Sequence, residues 1–218
     1  DRDISLQIAD INIGILYVFG VVSLGVYGIM IGAWASNNKY SLMGGLRAAS
    51  QIISYELAMG ISIIALLMFT GTLSLKDMVL QQQAGHWNIW YQPLGFLIFL
   101  ICAFAECNRT PFDLAEAESE LIGGYHTEYS SMKLGFYLFA EYINMFLSSA
   151  VMTSLFFGGY DIPFVNDAHL AQSWGTNPVA ILQGVVLFAK IIGFLLLFMC
   201  VRWTIPRFCS DQLMNLVW

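Results

Sequence analysis

Residues 11–35 read INIGILYVFGVVSLGVYGIMIGAWA, a stretch of 25 positions that contains no charged side chain. A helix needs about 20 mostly apolar residues to cross the hydrocarbon core of a bilayer. The stretch therefore predicts a membrane-spanning helix, and the same pattern returns along the rest of the chain.

The composition agrees with a membrane location for the whole chain. Of its 218 residues, 58% are hydrophobic and 11% are charged, whereas soluble domains carry about 25% charged residues; the mean hydropathy is +0.67. The net charge of −6 makes nucleic acid a poor candidate partner. The cysteines form no CxxC pair, and we interpret them as thiols in apolar surroundings rather than metal ligands. They are Cys102, Cys107, Cys200 and Cys209.

Five apolar runs predict an all-α polytopic membrane protein with five transmembrane helices. The predicted spans are about 11–35, 50–73, 90–107, 132–157 and 178–203. Internal repeats and flexible linkers are absent from the sequence, so residues 1–218 are expected to form a single transmembrane domain. The chain starts without a methionine or a signal peptide, and we expect it to be cut at both ends from a longer protein.

The basic residues predict the orientation of these spans. The loops at 36–49, 108–131 and 204–218 fall on one side, and that side carries most of the lysines and arginines. They are Lys39, Arg47, Arg109, Arg202 and Arg207, with Lys133 at a helix start. This side is therefore predicted to face the cytoplasm.

Four ionisable side chains fall within predicted spans: Glu56, Glu106, Glu141 and Lys190. Such groups are costly in a bilayer and are functional candidates by default. The topology places the three glutamates in the same half of the membrane, from three different helices, with Lys190 deeper. Neighbouring buried carboxylates pass protons along water, which suggests a proton path. Structural ion pairs that hold helices together are the alternative.

The loop at 108–131 is acidic on a side that should favour positive charge. It also contains many apolar and aromatic residues, which favour packing against a large apolar ligand or a partner protein over a purely solvated loop. The three histidines, His86, His126 and His169, are too far apart in sequence to suggest a metal site, and we predict none.

Three motifs resemble the family of respiratory complex I membrane subunits called subunit 1 in mitochondria. The longest is AECNRTPFDLAEAESEL at 105–121, continuing in GYHTEYS at 124–130. The others are SNNKYSL at 36–42, which leads to SYE at 54–56, and PRF at 206–208, followed by DQLM at 211–214. The family pattern has Arg and Tyr where Cys209 and Ser210 stand here, so one cationic contact is expected to be lost or supplied elsewhere.

The resemblance implies eight transmembrane helices, of which the five in this sequence correspond to the third to the seventh. It implies a subunit of a proton-translocating NADH:quinone oxidoreductase, with quinone (ubiquinone or menaquinone) as substrate and no covalently bound cofactor. FMN and iron–sulfur clusters would lie in partner subunits. The implied partners are the other membrane and peripheral subunits of complex I and the lipid bilayer. The motif variants favour a bacterial inner membrane over a mitochondrial one.

The resemblance also implies two sets of site residues. The proton path would comprise Glu56, Glu106, Glu141 and Lys190. The quinone chamber and its loop would comprise Arg47, Arg109, Phe112, Asp113, Glu116, Glu118 and Glu128, with the two arginines as counter-charges. Two other classes are kept as alternatives, namely the related membrane subunit of a membrane-bound hydrogenase and an ion transporter.

Overall fold

The computed structural model of the chain describes residues 9, 11–116, 121–163 and 176–208, and within these ranges it is helical without strands. The helices are α1 (Gly14–Ala35), α2 (Lys39–Thr70), α3 (Leu75–Ala84), α4 (Asn88–Tyr91), α5 (Pro93–Glu106), α6 (Ser131–Phe156) and α7 (Thr176–Thr204). A short 3-10 helix spans Gly124–His126. Helices α1, α2, α6 and α7 are long and apolar enough to cross a membrane, and α5 is a shorter apolar helix. The predicted all-α polytopic membrane fold is confirmed.

Helix α2 begins earlier than the sequence suggests. Residues 36–49 are predicted to form a loop, but the helix starts at Lys39, where the Asn38 side chain accepts a hydrogen bond from the backbone N–H of Tyr40 at 3.0 Å. The first turns of α2 pack closely on α1, because a Cβ added at Gly45 would stand 2.3 Å from the Cβ of Ala33. Tertiary packing therefore outweighs the weaker apolar pattern of this segment.

The third predicted span, about 90–107, is divided into two helices. Gln92 separates α4 from α5 with φ −134° and ψ 65°, and Pro93 is the first residue of α5. A proline lacks the backbone N–H and disfavours helical geometry in the residue before it, so a continuous helix is interrupted here. At 1.5 Å per residue, the 14 residues of α5 cover roughly 21 Å.

The core lies where α5 packs among α2, α6 and α7. It contains large side chains that are almost completely buried, including Met59 of α2, Phe99 of α5 and Phe156 of α6. Phe198 of α7 stacks on Phe104 of α5 with 4.2 Å between ring centroids. These contacts fix the end of α5, and with it the position of Glu106.

The three connections predicted to face the cytoplasm meet at one end of the helices. The Ser41 hydroxyl of α2 donates to the carbonyl of Tyr125 at 2.7 Å, and the N–H of Phe208 donates to the carbonyl of Pro111 at 3.1 Å. A Cβ at Gly44 would stand 2.7 Å from the backbone nitrogen of Tyr125, so only glycine permits this close approach. Two stretches, 107–116 and 121–130, belong to the connection that is predicted to face the cytoplasm, and they are called the cytoplasmic loop below for that reason.

Candidate functional site

A cavity of about 400 Å³ opens between α1, α2, α6 and the cytoplasmic loop, beside the end of α5. The α1 side of its wall is mostly apolar. Three carboxylates line the cavity, Glu56 from α2, Glu106 from α5 and Glu141 from α6. The structure thus brings together three acids that are far apart in sequence and belong to three different helices.

Glu106 is the last residue of α5 and is 7% exposed. The helix ends in a turn in which Asn108 adopts φ +48°, a left-handed conformation that asparagine tolerates better than most residues. The N–H of Asn108 donates to the carbonyl of Ala105 at 3.3 Å. Because the chain turns directly after Glu106, Cys107 and Asn108 line the same cavity.

Glu56 is held from the opposite wall. Its carboxylate accepts a hydrogen bond from the hydroxyl of Ser23, a polar residue within the apolar helix α1. Ser23 also lines the cavity. The contact joins α1 to α2 at the level of the carboxylates.

Glu141 is the acid most closely tied to the cytoplasmic loop. The Tyr125 hydroxyl donates to its Oε1 at 2.9 Å, and Nη2 of Arg109 lies 2.9 Å from its Oε2. The side chains of Arg109 and Glu141 are only 8% and 10% exposed. The Arg109 guanidinium also lies 4.8 Å from the centre of the Tyr142 ring, a favourable arrangement for a cation. Both loop residues would therefore respond to a change of charge on Glu141.

A group of three tyrosines stands where the cavity meets the cytoplasmic loop. Tyr137 stacks with Tyr125 and Tyr129, with ring centroids 5.5 Å and 5.1 Å apart, and the Tyr129 hydroxyl donates to the carbonyl of Gly32 at 2.7 Å. Burial, reinforced by the negative charge of Glu141, raises the pKa of Tyr125 above its usual value. Its hydroxyl therefore stays protonated at neutral pH and can donate the hydrogen bond to Glu141.

Asp113 and Phe112 lie in the cytoplasmic loop but outside the cavity wall. Phe112 is 5% exposed and contacts the rings of Tyr55 and Phe208, with centroids 5.4 Å and 5.7 Å away. Asp113 accepts a hydrogen bond from the backbone N–H of Glu116 at 3.3 Å. Burial, with a smaller contribution from the charge of Glu116, raises the pKa of Asp113 to about 6.

Three further predicted chamber residues, Glu116, Glu128 and Arg47, lie outside the cavity wall. Glu128 is exposed, and its carboxylate accepts a hydrogen bond from the side-chain amide of Asn38 at 2.6 Å. Arg47 is half-buried on α2, outside the cavity wall. Glu118 lies outside the described residues. Among those that are described, no group of three or more histidine, cysteine, aspartate or glutamate side chains is arranged to hold a metal ion.

Lys190 of α7 is not brought together with the three acids. Its ammonium donates to the carbonyls of Phe157, Gly159 and Asp161 at 2.8, 3.0 and 2.7 Å, just beyond the end of α6. It also lies 4.8 Å from the centre of the Trp87 ring. Its place on the proton path stays a prediction, and the described contacts are those of a residue that satisfies backbone carbonyls after a helix end.

The family of the chain follows from comparison with known proteins. A family model described as NADH dehydrogenase matches residues 3–218. The chain belongs to the NADH dehydrogenase family. The resemblance to a complex I membrane subunit, carried by the sequence motifs, is confirmed by the relatives of the chain.

Among those relatives of the NADH dehydrogenase family are three bacterial proteins. An H-type NADH-quinone oxidoreductase subunit of Cytophaga hutchinsonii is 68% identical over 99% of this chain and 62% of its own length. The H-type subunit of Flavobacterium psychrophilum is 66% identical over 100% of this chain and 63% of its own length. NADH-quinone oxidoreductase subunit 8 of Rhodothermus marinus is 48% identical over 97% of this chain and 64% of its own length. The chain thus spans about three fifths of the length of these curated relatives.

Several cavity residues of this NADH dehydrogenase family member are missing from the site residues predicted from sequence. Ser23, Asn108 and Tyr125 contribute polar atoms to its wall. Gln51 lies outside the wall and donates hydrogen bonds to the carbonyls of Ala105 and Phe112. Ser23 is a polar residue in an otherwise apolar segment, which is the one sequence feature that could have indicated it. Gln51 lies among other polar residues, and nothing in the sequence distinguishes it. Asn144 lines the cavity as well and stands three residues after Glu141, on the same face of α6.

Proposed function

We propose that this chain is the quinone-chamber membrane subunit of a proton-translocating NADH:quinone oxidoreductase, and that Glu56, Glu106 and Glu141 carry protons within it. The observation that supports this proposal is the shared cavity, because three acids from three helices line one space of about 400 Å³. Acids at membrane depth are costly and persist where they have a function. A single structural ion pair would need one of them, and only Glu141 has an ion-pair partner among the described residues.

The proposed mechanism links quinone reduction to the charge of the cavity. Reduction of a quinone headgroup beside the cytoplasmic loop would add negative charge or draw protons from nearby acids. The loop is the element that would pass this change on, since Tyr125 and Arg109 both contact Glu141. Carboxylates that share a cavity interact, so protonation of one alters the ionisation of the others.

The same proposal places other functions outside this chain. NADH oxidation, FMN and iron–sulfur clusters would belong to peripheral partner subunits, and quinone, whether ubiquinone or menaquinone, would be the substrate. The apolar helices and the bacterial relatives support a location in a bacterial inner membrane. No observation on the described residues favours the hydrogenase subunit or the ion transporter.

Conservative replacement of single acids in the complete complex tests this proposal. Glu141→Gln and Glu106→Gln keep the shape of each side chain but replace its titratable carboxyl group with an amide that does not ionise. In inverted membrane vesicles, both should lower the number of protons moved per NADH oxidised, while NADH oxidation by a soluble acceptor reports that the complex is assembled. Asp77→Asn is the matched control, since Asp77 is an exposed acid on α3 and lies outside the cavity wall. Unchanged pumping in both cavity variants would refute the proton role.

A further inference from the structure

Gln51 of α2 connects the end of α5 to the cytoplasmic loop. Its side-chain amide nitrogen donates to the carbonyl of Ala105 at 2.8 Å and to the carbonyl of Phe112 at 2.7 Å. Gln51 is 3% exposed, so both bonds are shielded from water. Because both acceptors are carbonyl oxygens, the amide nitrogen must face them, and the orientation of the side chain is fixed.

The two carbonyls stand at the two ends of one short segment, 106–112. Its first residue is Glu106, which lines the cavity, and Ala105 directly precedes it. At its other end, Phe112 directly precedes Asp113 of the acidic loop. Between them lies Arg109, whose guanidinium contacts Glu141. One side chain therefore holds both ends of the segment that carries a cavity acid and the counter-charge of a second one.

Gln51 also acts from a rigid element. It lies within the 32-residue helix α2, five residues before Glu56 on the same helix. The other amide atom, Oε1, is buried and has no hydrogen-bond donor among the described residues. Burial of such an acceptor is unfavourable and is usually tolerated where the rest of the group has a role.

We propose that Gln51 is a positioning residue that ties the cytoplasmic loop to the cavity acids, so that displacement of the loop at Phe112 moves Glu106 and Arg109 with it. This inference rests on the proposed function and adds a mechanical link to it. Without the amide, the two ends of the segment 106–112 lose their shared hydrogen-bonded attachment to α2. The segment is then held by its own turn, by the Arg109 contact, and by the contacts of Pro111 and Phe112 with Phe208 and Tyr55. The loop then moves without carrying the cavity acids along.

The expected size of the effect follows from the two hydrogen bonds. Each contributes on the order of 1 kcal/mol net, and 1.4 kcal/mol corresponds to a factor of ten. Loss of both bonds therefore lowers the equilibrium constant for the arrangement in which the loop and the end of α5 are held together by roughly 30-fold. Gln51→Met, which has a similar length and no donor, removes both bonds. Gln51→Asn keeps the amide on a shorter stem that reaches one carbonyl, and it should be intermediate.

Gln82 provides a matched control in the same chain. It is 2% exposed, and its amide nitrogen donates to the carbonyls of Ser154 and Leu155 at 3.1 and 3.3 Å, at the end of α6 opposite to the cytoplasmic loop. Gln82→Met removes these two bonds, a third to the carbonyl of Met78, and two that Gln82 Oε1 accepts from the N–H groups of Asn88 and Gly158, all far from the cavity acids. It should therefore cost at least as much stability as Gln51→Met. A general loss of stability should affect both methionine variants, whereas a loss of positioning should affect Gln51→Met alone.

The experiment measures protons moved per NADH oxidised by the complete complex in inverted membrane vesicles, with NADH oxidation by a soluble acceptor as the measure of assembly. We expect the ratio to fall by at least about half in Gln51→Met, to fall less in Gln51→Asn, and to stay unchanged in Gln82→Met. If Gln51→Met keeps the wild-type ratio, or only loses assembly as Gln82→Met does, the positioning role is overturned. Glu106→Gln and Glu141→Gln are measured in parallel, and full pumping in both of these variants would instead overturn the proposed function itself.

Discussion

The contact between Arg109 and Glu141 can be tested by a double-mutant cycle. The two charged groups lie 2.9 Å apart, with 8% and 10% of their side chains exposed. Arg109→Met and Glu141→Gln each remove one charge and keep much of the side-chain volume. The combined variant removes both charges. Comparison of the three variants isolates the interaction between the two groups.

The structure sets the expected magnitude. Arg109→Met leaves a buried carboxylate that retains the hydrogen bond from Tyr125, and Glu141→Gln leaves a buried guanidinium over the ring of Tyr142. Breaking one side of a buried pair typically costs about 3–5 kcal/mol, because the other charge stays buried without its partner. The double variant leaves no unpaired charge. Its cost should therefore be smaller than the sum of the single costs by at least about 2 kcal/mol.

The assay is the free energy of unfolding of the purified full-length protein in mixed detergent micelles, measured for the wild type and the three variants. Asn38→Ala and Glu128→Gln, separately and together, serve as an exposed reference pair, for which a coupling below about 1 kcal/mol is expected. If the cost of the double variant equals the sum of the two single costs to within about 0.5 kcal/mol, the ion pair is not a significant interaction. The proposed coupling of the loop to Glu141 through Arg109 is then refuted.

Three further changes have definite expected results. Tyr125→Phe keeps the ring but removes the hydrogen bond to Glu141, so the free energy of unfolding should fall by about 1.5–3 kcal/mol in the same micelle assay. Gly44→Ala places a Cβ 2.7 Å from the backbone nitrogen of Tyr125, an overpacking that costs about 1–3 kcal/mol. The strain should displace the loop, so that an added protease cleaves it faster than in the wild type. Cleavage at the wild-type rate would count against the close approach. The pKa of Asp113 is raised from 3.8 to about 6, so the folded protein binds a proton at this residue more tightly than the unfolded chain does. The contribution of Asp113 to the free energy of unfolding should therefore decline as pH rises from about 4 to about 6 and then level off. Hydrogen exchange of the loop across this pH range should show the decline in the wild type and not in Asp113→Asn.

The membrane fold could be predicted from the sequence because a helix that crosses the bilayer needs a minimum length of apolar chain. Helices α1, α6 and α7 lie close to the predicted spans for that reason. The first residue of helix α2 could not be predicted from the sequence. Its first turns contain Lys39, Arg47 and two adjacent glycines, which resemble a loop in sequence, and they are helical because Gly44 and Gly45 allow close packing on the loop and on α1.

The three acids could be identified from sequence because a charge at membrane depth is unusual whatever its partners are. Their partners could not. Tyr125 lies in a loop with several other aromatic residues, and only the folded chain directs its hydroxyl to Glu141. The position of Lys190 along α7 could likewise be counted from the sequence. The direction of its side chain, toward the carbonyls that follow α6, could not be predicted.

In the proposed mechanism, the acids of the cavity change protonation when quinone is reduced. The most direct measurement is the redox-induced infrared difference spectrum of the complete complex, in which protonated carboxyl groups absorb separately from carboxylates. The proposed proton path predicts a carboxyl band that appears or disappears on quinone reduction, is lost in Glu106→Gln and is retained in Asp77→Asn. A spectrum that is the same in the wild type and in Glu106→Gln would contradict it.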